Sequence, residues 1–224
     1  MESDNSECSV YLDCAASTPV RPAVLDAMMP YLTEHFGNPS GSHRMARTSR
    51  AAIDDAREVC ANHLGFDPHG VVFTSGGTEA DNLAIHGACT SNGIAVCAAT
   101  EHHAILHPVE FRSGRVAQVT DDGAVDLDHL ETLLDDNVAV ISVMLVNNES
   151  GRVVDLNPIA DLRDRVAPGA MLHTDAVQGI NWVDIREALR RVDMVSLSGH
   201  KFGAPKCVGA LAIRPGLKLA PQLL

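Results

Sequence analysis

The apolar run at residues 138–146, VAVISVMLV, restricts the fold more than any other stretch, because its nine residues contain a single hydroxyl and no polar face to turn toward water. It is far shorter than the roughly 20 residues that cross a bilayer. It therefore reads as a strand covered on both sides, as in a parallel sheet flanked by helices. Similar short β-branched or apolar stretches occur at Val71-Val72-Phe73-Thr74, residues 94–98, residues 116–119, Met171-Leu172-His173-Thr174-Asp175 and the run from Met194. Helical spacing lies between them, at residues 43–64 (stopped by Gly65), after Ser75-Gly76-Gly77-Thr78, after Glu101-His102-His103, and at residues 127–134 and 159–166. This alternation predicts an α/β fold, a doubly wound, mainly parallel sheet with helices on both faces. Ahead of it, Val24, Leu25, Met28, Met29 and Leu32 predict an amphipathic helix opened by Pro22 and closed by Gly37-Asn38-Pro39-Ser40-Gly41.

At 224 residues, with 46% hydrophobic and 21% charged, the chain suits one domain over residues 1–224. Residues 1–18 are read as an N-terminal segment and 216–224 as the start of a connection. A net charge of −12 argues against nucleic-acid or anionic-membrane partners, which need clustered Lys and Arg, and points to a small molecule. Residues 1–9 carry no basic and apolar leader, and the six cysteines form no C-x-x-C pair. Reduced thiols in the cytoplasm are the expectation. No metal site is expected, since His103 and His107 could share a helical face but no third ligand accompanies them.

The chemistry-bearing residues fall where the strands end. Thr100-Glu101-His102-His103, Asn147-Asn148-Glu149, Asp175-Ala176-Val177-Gln178 and Ser198-Gly199-His200-Lys201 each follow an apolar run, and open α/β sheets bind ligands at that edge. Ser75-Gly76-Gly77-Thr78 turns a strand into a helix whose free N–H groups suit an anion, although Thr78 and Asp81 also have capping-box spacing. A lysine, a carboxylate and an anion cradle on one edge meet the needs of pyridoxal 5'-phosphate. These are a Schiff-base amine (Lys201), a partner for the ring nitrogen (Asp175) and a phosphate seat.

In order along the chain, Tyr11-Leu12-Asp13, Phe36-Gly37-Asn38-Pro39-Ser40, Phe73-Thr74-Ser75-Gly76-Gly77-Thr78-Glu79, Glu101-His102-His103, Asn147-Asn148-Glu149, His173-Thr174-Asp175-Ala176-Val177-Gln178 and Ser198-Gly199-His200-Lys201 resemble the cysteine desulfurases. These belong to the class V aminotransferase group, within the fold type I pyridoxal phosphate enzymes, and the resemblance covers nearly the whole chain. It implies that Lys201 carries the cofactor, that Asp175 pairs its ring nitrogen, and that His102 stacks on the ring and exchanges protons. Asn148 and Gln178 would contact the ring oxygen, and Gly77, Thr78, Ser198 and His200 would hold the phosphate. It further implies conversion of L-cysteine to L-alanine, with persulfide sulfur passed to an acceptor or scaffold protein for iron-sulfur cluster or thiolated-cofactor synthesis, in a homodimer when full length. Rival expectations are a selenocysteine lyase, an aminotransferase or a non-catalytic cofactor-binding fragment. Cys14 and Ser17 stand where the family often has Asn and Thr, and Cys207 where it usually has Gly. The family's C-terminal small domain, with its nucleophilic cysteine, is expected to be absent, so the 224 residues alone are expected to show no appreciable turnover. Cys14 and Cys207 are the credible substitutes for that nucleophile.

Overall fold

A computed structural model of the protein describes residues 10–90 and 92–223. The order is α1 (Pro22–Thr33), α2 (Arg44–Leu64), β1 (Val71–Thr74), α3 (Gly77–Ala88), β2 (Ile94–Ala98), α4 (His103–Phe111), β3 (Arg115–Ala117), α5 (Leu127–Thr132), β4 (Val138–Ser142), α6 (Asn157–Val166), β5 (Met171–Asp175), α7 (Ile185–Ala188), β6 (Met194–Ser198) and β7 (Gly209–Ile213). The strands form one seven-stranded sheet in the order β1-β7-β6-β5-β4-β2-β3. All pairings are parallel except those of β7, which opposes both β1 and β6. The carboxyl ends of β1, β2, β4, β5 and β6 therefore share one edge.

The period of two along each strand divides the core into two layers. Ile141, Leu172, Val195 and Ala212 join residues of α2, α5 and α6, whereas Val140, Met194 and Leu211 join residues of α3 and α4. Helices thus cover both faces, as the alternation predicts. Ile141, Leu172 and Leu211 are fully buried, and each contributes about 1.5–3 kcal/mol relative to exposure. By the same alternation Ser142, His173 and Ser196 point toward α3 and α4, a polar row inside an apolar layer.

Several local expectations change. The edge strand is Arg115–Ala117 rather than 116–119, because the Gln118 N–H leaves the ladder to donate to His129 Nδ1 at 2.9 Å. The 138–146 run keeps pairing beyond β4, with the Val143 N–H donating to His173 O (3.1 Å) and the Leu145 N–H to Asp175 O (2.9 Å). Beyond the run from Met194, which forms β6, a further strand, β7, follows. α1 buries none of its residues, so its apolar stripe faces a groove shared with α2 instead of a core. Gly65 does end α2, in the left-handed region at φ 73°. Residues 1–9, for which no leader is expected, lie outside the described residues.

Cys207 also sits in the left-handed region, at φ 64°, which accounts for the glycine expected there. Such a backbone costs an L-residue roughly 1–2 kcal/mol, and a glycine gives back part of that as unfolded-state entropy. Cys207→Gly should raise the unfolding free energy by about 0.5–1 kcal/mol, read from the urea midpoint. A lowered midpoint would show that the Cys207 side chain contributes more than its backbone costs.

Candidate functional site

At the shared carboxyl edge a cavity of about 380 Å³ is lined by Gly77, Thr78, His102, Asn148, Asp175, Gln178, Ser198, His200 and Lys201, together with Ala16, Asp81, Met144 and Val177. All nine residues named from the sequence therefore converge. Gly77 opens α3, and a Cβ there would stand 2.8 Å from Val177 Cγ2 and 3.3 Å from Ser198 Cβ. Only glycine keeps this end of the cavity open. Thr78 and Asp81 form no capping box, because the N-cap is Gly76 and makes no side-chain bond. Glu79 serves that end instead, its Oε2 accepting the Ser75 N–H at 2.7 Å.

Lys201 lies at the end of a short 3-10 turn, Gly199–Lys201, directly after β6. The N-terminal segment straps this turn down. The Thr18 N–H and hydroxyl both donate to His200 O at 2.8 Å, Thr18 Oγ1 accepts the Gly203 N–H at 2.9 Å, and Lys201 Nζ donates to Ala15 O. Burial lowers the Lys201 pKa, while Asp175 and Asp13 work the other way. Asp175 is 4% exposed. Burial pushes its carboxyl up to about 6, against the Val177 N–H that donates to Oδ1 at 2.8 Å and the charge of Lys201.

His102 caps α4, its Nδ1 accepting the Ala104 N–H at 3.1 Å, which leaves the neutral ring protonated at Nε2. Burial, His103 and Lys201 all lower its pKa. Asn147 is committed to the turn, donating to Thr100 O and accepting the Glu149 and Ser150 N–H groups, so Asn148 is the one that reaches the cavity. Gln178 Oε1 is buried with no partner.

Asp81 is the residue that sequence reasoning missed. It occupies the buried stripe of α3 with Ala80, Ala84 and Ile85, and an acid on an otherwise small and apolar stripe is the signal that could have found it. No group of three or more His, Cys, Asp or Glu among the described residues is arranged to hold a metal ion. His103 and His107 stack on each other, with centroids 4.8 Å apart. Cys14 and Cys207 are exposed and neither lines the cavity. Burial raises the thiol pKa of Cys60, Cys89 and Cys97.

The chain is similar to the cysteine desulfurase IscS of Methanosarcina thermophila (41% identity, 96% of this chain and 55% of the relative) and to that of Dictyoglomus turgidum (39%, 96% and 56%). It thus spans about half the length of these curated relatives. Among solved structures it resembles a NifS-like protein (TM-score 0.90, 31% identity, 96% of this chain and 61% of the other). It also resembles SspA in complex with cysteine (TM-score 0.88, 34% identity, 96% and 65%). The family model described as aminotransferase class-V matches residues 10–223, so the stretch that builds this cavity is the stretch the family shares, and the chain belongs to the class-V aminotransferases.

Proposed function

We propose that this chain is the pyridoxal phosphate-binding large domain of a cysteine desulfurase. In the whole protein, L-cysteine would be converted to L-alanine and the sulfur handed on as persulfide to an acceptor protein in the cytoplasm. The observation that carries the reading is the meeting of Lys201, Asp175 and the start of α3 in one cavity of about 380 Å³, a volume suited to a small cofactor. The residues fit the group. Gln178 Oε1 is an orphaned acceptor, Gly77 leaves room that a Cβ would fill, and the first N–H groups of α3 need an anion or water. The sulfur chemistry is supported by the names of the relatives.

Pyridoxal phosphate supplies an aldehyde that condenses with amines and a ring that accepts electrons when a bond to an amino-acid Cα breaks. Lys201, whose Nζ burial helps to give up its proton, would supply the amine for that condensation and afterwards a base. Asp175 offers a carboxylate oxygen to a protonated ring nitrogen. His102 presents Nε2–H as a hydrogen-bond donor, and Thr78, Ser198 and His200 would hold the phosphate beside the N-terminus of α3.

Titrating the chain with pyridoxal phosphate should fill one site and produce a new visible absorption band. Pyridoxal without its phosphate should bind about 10-fold or more weakly, since an anion at a helix start gains up to ~2 kcal/mol before its hydrogen bonds are counted. Equal affinity would remove the phosphate seat from α3. In the whole protein, keto-acid release in place of alanine would replace the desulfurase reading with an aminotransferase.

A further inference from the structure

Beneath the cavity runs a buried polar chain that the reading above does not use. His173 on β5 is fully buried and touches two hydroxyls, Ser142 Oγ on β4 at Nδ1 and Ser196 Oγ on β6 at Nε2, each at 2.9 Å. The Ser196 hydroxyl is near enough to the Asp81 carboxyl to act on its pKa, and the Ser142 hydroxyl to that of Glu101. Asp81 is 1% exposed and Glu101 6%. Each carboxyl has one buried oxygen with no partner, Asp81 Oδ1 and Glu101 Oε2. Asp81 Oδ1 stands 3.9 Å from His173 Nε2.

Counting protons gives this chain a direction. Burial drives the His173 pKa down to about 3, so the ring is neutral and carries one N–H. It must then accept from one serine and donate to the other. The serine that donates to the ring has spent its only hydrogen, and its oxygen is left to accept one from a donor behind it. Of the groups around the row a protonated carboxyl can supply one, and the row is satisfied throughout when one end is a carboxylic acid. Glu101 has a second support, its Oε1 accepting the Met144 N–H at 2.6 Å. Asp81 has no backbone donor, shares the cavity with Asp175, and is repelled by both Asp175 and Glu101, whereas Asp175 alone repels Glu101.

We propose that Asp81 is a neutral carboxylic acid that donates to Ser196, fixing His173 in its Nδ1–H form, so that Asp175 remains the only carboxylate charged at the cavity floor. Donation then runs from Asp81 through Ser196, His173 and Ser142 to Glu101. This makes Asp81 a positioning residue that acts through Asp175. It deepens the cofactor reading, since Asp175 matters here as the partner of a ring nitrogen.

The test uses the chain without cofactor, so its failure and the failure of the cofactor reading are separate results. Nitrogen-15 NMR of His173 at neutral pH should show Nδ1 protonated and Nε2 unprotonated. Carbon-13 NMR should place the Asp81 carboxyl in its protonated range while Asp175 titrates near 6. Asp81→Asn, whose amide also donates, should keep the tautomer and leave the Asp175 midpoint within ~0.5 unit. Asp81→Leu, which cannot donate, should lose the single tautomer. An Nε2–H or doubly protonated ring in the unsubstituted chain would overturn the proposal without any variant. So would a fall of about one unit or more in the Asp175 midpoint with Asp81→Asn, the signature of a lost neighbouring charge.

Discussion

Borohydride reduction of the chain with bound pyridoxal phosphate should leave the stable adduct on Lys201 alone, and Lys201→Ala should abolish it. The test is unusually clean because the sequence holds only three lysines, Lys201, Lys206 and Lys218. Neither Lys206 nor Lys218 lines the cavity. Condensation needs an unprotonated amine, and burial favours that form at Lys201. Lys201→Arg should fail as completely, since a guanidinium keeps the charge but does not form the imine. A second readout separates loss of the amine from loss of the fold. The charge of Lys201 holds the Asp175 pKa down, so Lys201→Ala should move the Asp175 midpoint above about 6. An adduct mapped to Lys206 or Lys218, or an unmoved Asp175 midpoint in the alanine variant, would overturn the assignment.

The parts of this site that could be read from the sequence are those in which one residue type answers one demand. Val140, Ile141 and their neighbours have no polar face, so that run must be central. Once it is, the polar residues just beyond each strand, Asp175 and Lys201 among them, are placed on one edge by topology alone. β7 escaped because Gly209–Ile213 is a short, small-residue run, and its antiparallel direction comes from the return of the chain after Lys201 rather than from any local pattern. α1 has helical spacing, yet spacing does not say whether a partner covers the stripe, and here none of its residues is buried. Asp81 escaped for a different reason. Three residues after Thr78 it matches a helix cap, and only the position of α3 over Ser196 and His173 turns it inward.

Asp175→Asn should have effects of opposite sign on stability and on cofactor chemistry. In the chain without cofactor, burial raises the Asp175 pKa from 3.8 to about 6. The folded state therefore holds this proton more tightly than the unfolded state. The resulting stabilisation is fully present below the unfolded pKa and is lost as pH rises through about 6. A rise of roughly two units, at ~1.36 kcal/mol each, makes the charged carboxylate about 3 kcal/mol costlier to bury above that range. Asparagine fills nearly the same volume, can still accept the Val177 N–H, and never ionises. The variant should thus be more stable than the unsubstituted chain by about 2–3 kcal/mol at pH 8, with the difference shrinking toward zero near pH 4. Urea unfolding at the two pH values measures both ends of this window. With pyridoxal phosphate present the order should reverse in chemistry, because an amide cannot hold a proton on the ring nitrogen by charge, and the variant's absorbance should show a ring that loses that proton at lower pH. A variant no more stable at pH 8 would overturn the burial cost of the carboxylate, and one whose bound cofactor titrates as in the unsubstituted chain would remove Asp175 from the role of ring partner.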